Sequence, residues 1–338
     1  MKKVLAMGLI LALVFALNAC GGTSEEAEVN ESESIIFAVG TVESGESATG
    51  NAMKTFETYV EENTDGIVDV QVHNDGVLGG EREILESVKM GTVQLCVPGS
   101  AQFTAYDPKF AILDLPFLFP SLEANLEAWN GELGDVYIGW LEEIGYKCYG
   151  IVPVGGFRGL SNDVREIHTP SDMEGLKIRV MESKNYVDTF NLLGANAVTM
   201  SYGEVYTALQ QGTIDGQDNA PQYTVTTGFY ELQPYYTRLN HVHSRELYIT
   251  SKEYMDNLDP EIRQVIEDGI EIAMKQHGEE SIKTDEDFVQ QMVDAGVTVT
   301  YLTDEEIALF REKVTPLYDE FREIVGDEVF DLALSYSK

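Results

Sequence analysis

Apolar positions along this chain recur with two periods, and segments of each kind alternate. Residues 35–39 form an apolar run of strand length, and 48–62 place Ala52, Phe56, Tyr59 and Val60 on one face at helical spacing. Residues 68–72 alternate as a half-buried strand does. Gly79 and Gly80 precede a helix expected over 81–90, whose first turn carries Glu81 and Glu83 where the helix dipole favours acids. Gly91 stops that helix, and 93–97 reads as the next strand. Strand, helix, strand, helix, strand predicts a mostly parallel sheet covered by helices, an α/β arrangement.

The second half follows the same logic. Residues 176–181 read as a strand and 187–193 as a helix ended by Gly194; Ser201 with Glu204 forms a capping box opening a helix that Gly212 closes. Segments 85–93 and 206–214 both run helix, glycine stop, threonine, then an apolar strand entry, which supports two similar α/β lobes. From Pro260 to residue 295 the pattern is helical, with Ile262, Val265, Ile266, Ile270 and Met274 on one stripe. A helix so much longer than the ordinary length of about 12 residues can run across both lobes, with Gly269 or Gly278 as bend points. Residues 297–301 return to strand, a second capping box pairs Thr303 with Glu306, and helices follow to the end.

Composition adds constraints. With 338 residues and 37.5 kDa, 43% of them hydrophobic, the chain fits two domains with real cores. Acids number 58 and bases 22, a formal charge of -36, which repels nucleic acid and anionic membrane surfaces. Three cysteines exclude a disulfide scaffold or a multi-cysteine zinc module. Cys96 and Cys148 sit in strand-like stretches and read as buried free thiols, with a disulfide left open.

At the N-terminus, Lys2 and Lys3 precede an apolar run over 4–17, too short to span a membrane comfortably but suited to a secretory signal. Leu17-Asn18-Ala19-Cys20 resembles a bacterial lipobox. The expectation is a lipoprotein signal peptide over 1–19, a lipid acceptor at Cys20 and an acidic flexible tether over 20–34. The body would then lie outside the cytoplasm, held to the outer face of the cell membrane or periplasmic, touching membrane only through the anchor. Ordinary signal cleavage, with Cys20 discarded or left free, is the alternative.

The search for catalytic chemistry returns almost nothing. His73, His168, His241, His243 and His277 show no helical metal pair; His241 and His243 could share a strand face, in a surface or hydrogen-bonding role. There is no nucleophile elbow and no phosphate-binding loop. Gly155-Gly156-Phe157-Arg158-Gly159 lacks dinucleotide spacing and reads as a flexible crossing. No cofactor or metal is expected, and an enzyme is disfavoured. Positive charge, being scarce, is more informative. In 175–181 the alternation sends Leu176, Ile178 and Val180 to one side and Arg179 to the other, near the C-terminal end of a strand, where open α/β sheets bind ligands. Arginine there offers a planar fork for a carboxylate. Arg158, among glycines, is a second candidate; a structural ion pair is the plain reading of either residue.

Four motifs then carry a resemblance: Leu78-Gly79-Gly80-Glu81-Arg82-Glu83, Phe157-Arg158-Gly159-Leu160-Ser161-Asn162, Gly175-Leu176-Lys177-Ile178-Arg179-Val180, and 212–221 with Asp215-Gly216-Gln217-Asp218-Asn219. In this order they resemble the extracytoplasmic solute-binding subunits of tripartite ATP-independent periplasmic (TRAP) transporters, the DctP family, over 35–330. The resemblance implies a two-lobed periplasmic-binding-protein-like fold of class II type with a long helix spanning both lobes. The implied division is lobe I over 35–156 and 246–286, and lobe II over 157–245 and 287–338. It implies that Arg179 clamps a ligand carboxylate, with Asn219, Arg158 and Glu81 as further contacts, and Glu182, Gln217, Asn240 and His241 as weaker candidates. The implied partners are a small organic acid and the small and large membrane subunits of such a transporter. The stretch 179–182 with Lys184 and Tyr186 resembles the branch that binds sugar acids, hexuronates especially; a C4-dicarboxylate or other organic acid stays open, and a surface lipoprotein enzyme or adhesin is the distant alternative.

Overall fold

The computed structural model of the chain describes residues 34–337. The expected signal segment 1–19, Cys20 and the tether up to residue 33 lie outside the described residues. Eleven strands are described: β1 (Ile35–Gly40), β2 (Val68–His73), β3 (Leu95–Cys96), β4 (Tyr146–Phe157), β5 (Gly159–Asn162), β6 (Lys177–Val180), β7 (Asn196–Thr199), β8 (Gly216–Asn219), β9 (Tyr235–Arg238), β10 (His243–Ser251) and β11 (Thr298–Tyr301). They form two sheets, ordered β2-β1-β3-β10-β4 and β11-β9-β5-β8-β6-β7.

β1 runs parallel to β2 and β3, as the strand–helix order predicts, and β6 runs parallel to β7 and β8. β10, however, is antiparallel to β3 and β4, and β5 is antiparallel to β8 and β9. Each sheet is therefore mixed rather than mostly parallel. A parallel neighbour needs a long crossover, usually a helix, whereas β4 passes to β5 and β9 to β10 through short links between the sheets.

Those two links lie side by side. The Arg158 N–H donates to the Val242 carbonyl at 2.8 Å, and the Asn240 N–H donates to the Arg158 carbonyl at 3.0 Å. Gly155 and Gly156 take φ of +64° and +91°, the left-handed region that favours glycine. The expected flexible crossing over 155–159 is instead buried and largely extended, because the two passing segments satisfy each other's backbone groups.

A third passage is helical. Pro260–Asp294 begins at an Asp259 cap that accepts the N–H groups of Glu261 and Ile262. It packs on helix Ala48–Asn63 and β4, and further along on helix Pro221–Thr226 and β11, so it reaches both sheets. Ile266, Ile270 and Ala273 are fully buried with Phe56 and Val60 of helix Ala48–Asn63. The helix continues unbroken through Gly269 and Gly278. A Cβ at Gly269 would come within 3.0 Å of Val60 and 3.1 Å of Tyr59, so this glycine lets two helices approach closely. The last helix, Asp304–Ser335, opens on the predicted Thr303–Glu306 capping box and is interrupted at Gly326 (φ 80°). It rests on 108–114, on helix Glu132–Glu143 and on helix Lys184–Leu192. Cys96 and Cys148 are buried free thiols. No helix among the described residues is long and apolar enough to cross a membrane.

β8 carries the tightest backbone approach near the site. A Cβ at Gly216 would run into the Ser161 carbonyl oxygen and lie 2.9 Å from Asn162 Cβ and 3.0 Å from Ile178 Cδ1. Gly216→Ala is expected to cost about 1–3 kcal/mol by overpacking; an unchanged thermal melt would show that β5 and β6 can separate there.

Candidate functional site

Both sheets turn side chains into one cleft, which encloses about 510 Å³ of atom-free space, part of it open to solvent. Its lining includes Glu43, Glu81, Asp114, Arg158, Arg179, Tyr186, Tyr202, Asn219, Tyr223, Arg245 and Glu246. Three arginines thus share one cavity, and their partners separate their roles.

Arg179 stands on β6, between β7 and β8, in register with Val198 and Gln217. Ile178 and Val180 are fully buried in the core, so the pleat sends Arg179 to the opposite face. The guanidinium is 3% exposed. Nε and Nη2 donate to the Met200 carbonyl at 3.1 and 2.9 Å, and no carboxylate among the described residues pairs with it. Burial, then the nearby charge of Arg158, pulls its pKa down to about 10; Asp218 and Glu81 offset this only in part. At neutral pH it therefore remains a cation, and one without a counter-charge in contact.

Arg158 is the reverse case. Nε and Nη2 both reach Asp218 Oδ2, at 3.0 and 2.9 Å, and Nη2 also donates to the Asp218 carbonyl at 2.6 Å. Nη1 donates to Ser244 Oγ at 3.3 Å, and the guanidinium lies 5.4 Å from the Tyr186 ring centroid. Burial alone would lower its pKa, but the Asp218 carboxylate more than cancels that and holds it raised. Arg245 on β10 is likewise neutralised. Its Nη1 contacts Asp114 Oδ1 at 2.6 Å and Ser100 Oγ at 3.1 Å, Nη2 donates to the His243 carbonyl at 2.7 Å, and the group lies 5.0 Å from the Trp129 ring centroid.

Asn219 ends β8, just before the helix that Pro221 opens. Its Oδ1 accepts the Ala220 N–H at 3.2 Å, which leaves the amide NH2, in a side chain 3% exposed, facing the cleft. From the first sheet's side come the acids. Glu81 starts helix Glu81–Lys89, accepting the Gly99 N–H at 2.8 Å and Gln102 Nε2 at 2.7 Å. Glu246 accepts Tyr223 Oη at 2.8 Å and Thr49 Oγ1 at 2.9 Å. Burial, aided by the charge of Glu81, pushes Glu246 up to about 8. Burial raises Glu43 well above the carboxylate range too, reinforced by Glu246, Glu81 and Asp75.

Arg179, Asn219, Arg158 and Glu81 therefore meet in the cleft, while the four weaker candidates do not. Glu182 is exposed and points away. Gln217 is wholly buried and does not line the cleft; its Nε2 donates to Ser161 Oγ at 2.9 Å and Thr224 Oγ1 at 3.3 Å, so its amide is held by its own neighbours. Asn240 lines a separate cavity beside Phe117 and Arg311. His241 is buried behind the ion pair, 3.4 Å from Asp218 Oδ1 and edge-on to Phe190, and burial pulls it down to about 4. His243 is also buried, against Phe157 and Trp129, rather than at a surface.

The pattern of residues 243–251 hid Arg245 and Glu246, because every position of β10 is buried and no alternation marks a face. Glu43 carries no local signal either. Among the described residues no group of three His, Cys, Asp or Glu could hold a metal ion.

Residues 39–324 match the family described as bacterial extracellular solute-binding protein, family 7 (DctP). The chain is 32% identical over 298 residues to the C4-dicarboxylate-binding periplasmic protein DctP of Rhodobacter capsulatus, covering 88% of this chain and 89% of that one. It is similar to the crystal structure of the sugar acid binding protein DctPAm from Advenella mimigardefordensis in complex with galactonate: TM-score 0.86, 29% identity, 90% of this chain and 98% of that one. It is also similar to a TRAP periplasmic solute-binding protein from Shewanella oneidensis with bound succinate: TM-score 0.87, 26% identity, 90% and 100% covered.

Proposed function

Because the chain belongs to the DctP family of bacterial extracellular solute-binding proteins, we propose that its cleft captures a sugar acid by seating the acid's carboxylate on Arg179 and passes it to TRAP membrane subunits. The family's members are binding subunits of transporters, not enzymes, and this chain is an extracytoplasmic receptor of that kind. The observation that carries the ligand reading is a buried guanidinium with no acidic partner among the described residues, with an amide from the adjacent strand lining the same cavity. A carboxylate is the group such a fork fits bidentately. The remaining lining supplies hydroxyl partners at several heights, from Glu81, Tyr202, Tyr223 and Glu246. Relatives with sugar acids and with dicarboxylates both resemble this chain, so the choice between them rests on the lining.

Capture would be a hinge motion of lobe I (35–156 and 246–286) against lobe II (157–245 and 287–338) about the crossing segments, with ligand shifting the population towards closure. The lipobox reading of Cys20 would tether this body to the outer face of the membrane.

A thermal-shift screen tests the reading. An acid held at about 100 times its dissociation constant adds about 2.7 kcal/mol to the folded state. Galactonate, glucuronate or galacturonate should raise the melting temperature more than succinate does. A screen in which succinate or another C4-dicarboxylate gives the largest shift would replace the sugar-acid reading with its alternative.

A further inference from the structure

Resting on the sugar-acid reading, we propose that Glu43 and Glu246 are specificity-determining residues: they form an acidic wall that accepts the hydroxyl end of the ligand and rejects a second carboxylate. Both line the cleft, at 5% and 3% exposure, and both come from the first sheet's side, whereas Arg179 and Asn219 come from the second sheet. Glu246 is held in place by Tyr223 and Thr49. The Glu43 side chain has no hydrogen-bond or ion-pair partner among the described residues, although it is more than nine-tenths buried and lines the cavity. Asn219, equally buried, points an unpartnered NH2 into the same space from the far side. Polar groups without a protein partner on two walls of one cleft point to a ligand that completes both.

The charges say what kind of ligand that is. Arg158 and Arg245 are already matched by Asp218 and Asp114, so Arg179 is the one cleft arginine left for an incoming anion among the described residues. A second carboxylate would have to sit against Glu43, Glu81 and Glu246 with no cation to receive it, and once Glu43 and Glu246 have lost their protons like charges so placed cost several kcal/mol. A hydroxyl meets no such barrier. It can donate to a carboxylate or accept from a protonated carboxyl, and burial keeps both Glu43 and Glu246 nearer protonation than ordinary glutamates. The groups around the pair are few. Glu43 faces Glu246, Glu81, Asp75, Tyr202 and Tyr223; Glu246 faces Tyr223, Thr49, Glu81, Tyr202 and Tyr248, with His277 Nε2 3.9 Å away and held neutral by burial. As pH rises through the raised carboxyl range, the wall loses protons and becomes more repulsive to a dianion, while a hydroxyl-ended mono-acid is less affected.

Calorimetric titration of galactonate and galactarate tests this, since the two differ only in carrying CH2OH or a carboxylate at the end remote from the first carboxylate. Above about pH 8, where the wall has lost its protons, the wild-type chain should prefer galactonate by about 100-fold, and Glu246→Gln and Glu43→Gln should each shrink that ratio about tenfold, mostly by improving galactarate. Galactarate binding to the wild type should weaken several-fold between about pH 6 and 8, more than galactonate does. Equal affinity for the two acids, or a ratio unchanged in both folded variants, overturns the assignment. Should the variants fail to fold, a galactarate affinity that does not change with pH overturns it on the wild type alone. If another mono-acid proves the best ligand, the sugar-acid reading falls and the same comparison, against that acid's own ω-carboxylate, tests the wall. A diacid as the strongest ligand overturns the wall, and silence from every acid overturns both.

Discussion

Replacing Arg179 by alanine is expected to weaken ligand binding by about 30- to 1000-fold while leaving the unliganded fold within about 1 kcal/mol of wild type. The first number corresponds to about 2–4 kcal/mol, the middle of the range for one or two charge-assisted hydrogen bonds to a carboxylate at about 1.5–3 kcal/mol each. The second follows from the protein's own geometry. Arg179 stabilises its surroundings only through the Met200 carbonyl, and it carries a desolvated charge with no acid in contact. Removing it forfeits two hydrogen bonds and relieves an uncompensated charge, and these effects oppose each other. Arg179→Lys should fall between, keeping the charge and losing the planar fork. Titration calorimetry and a melt of the same preparation separate the two effects. Near-normal affinity would remove Arg179 from the site; a collapsed melting temperature would make it a structural residue instead.

Asp218→Ala should behave in the opposite way, with stability lost first. The carboxylate is fully buried and takes both Nε and Nη2 of Arg158. Breaking such a pair from one side leaves a buried cation beside Arg179, at a cost of about 3–5 kcal/mol. For a chain of this size that corresponds to a fall in melting temperature of about 5–10 °C. Ligand should then rescue the variant by more degrees than it lifts the wild type, because the incoming carboxylate meets two unneutralised arginines. A melt unchanged by the substitution would show that Arg158 is satisfied by the residue-218 carbonyl, Ser244 and the ring of Tyr186. The two variants thus distinguish an arginine kept free for ligand from one committed to the frame.

The same contrast shows where sequence reading reaches its limit. The alternation Leu176, Ile178, Val180 separates Arg179 from its neighbours within five residues, so its orientation is legible locally. Nothing near Arg158 indicates that its charge is spent, since its partner is 60 positions away, on β8, the strand paired with β5. Glu43 and Glu246 are two among 58 acids, and only their burial in one wall distinguishes them. Gln217 and Asn219, adjacent but one in the same motif, part company because Ser161 and Thr224, both on other elements, engage the Gln217 amide, while Asn219 at the end of β8 lines the cleft.

Period, caps and glycine stops are properties of short stretches, and short stretches were enough for β1, β2, β3, β6 and β11, the 35-residue helix at Pro260–Asp294 and the face that Arg179 takes, but not for β5 and β7 to β10. Whether a buried charge is free or matched depends on which distant segments the packing brings within about 4 Å of it, where Coulomb attraction in a low dielectric outweighs every local preference. That decision, which left Arg179 open and closed Arg158 and Arg245, belongs to the tertiary structure alone.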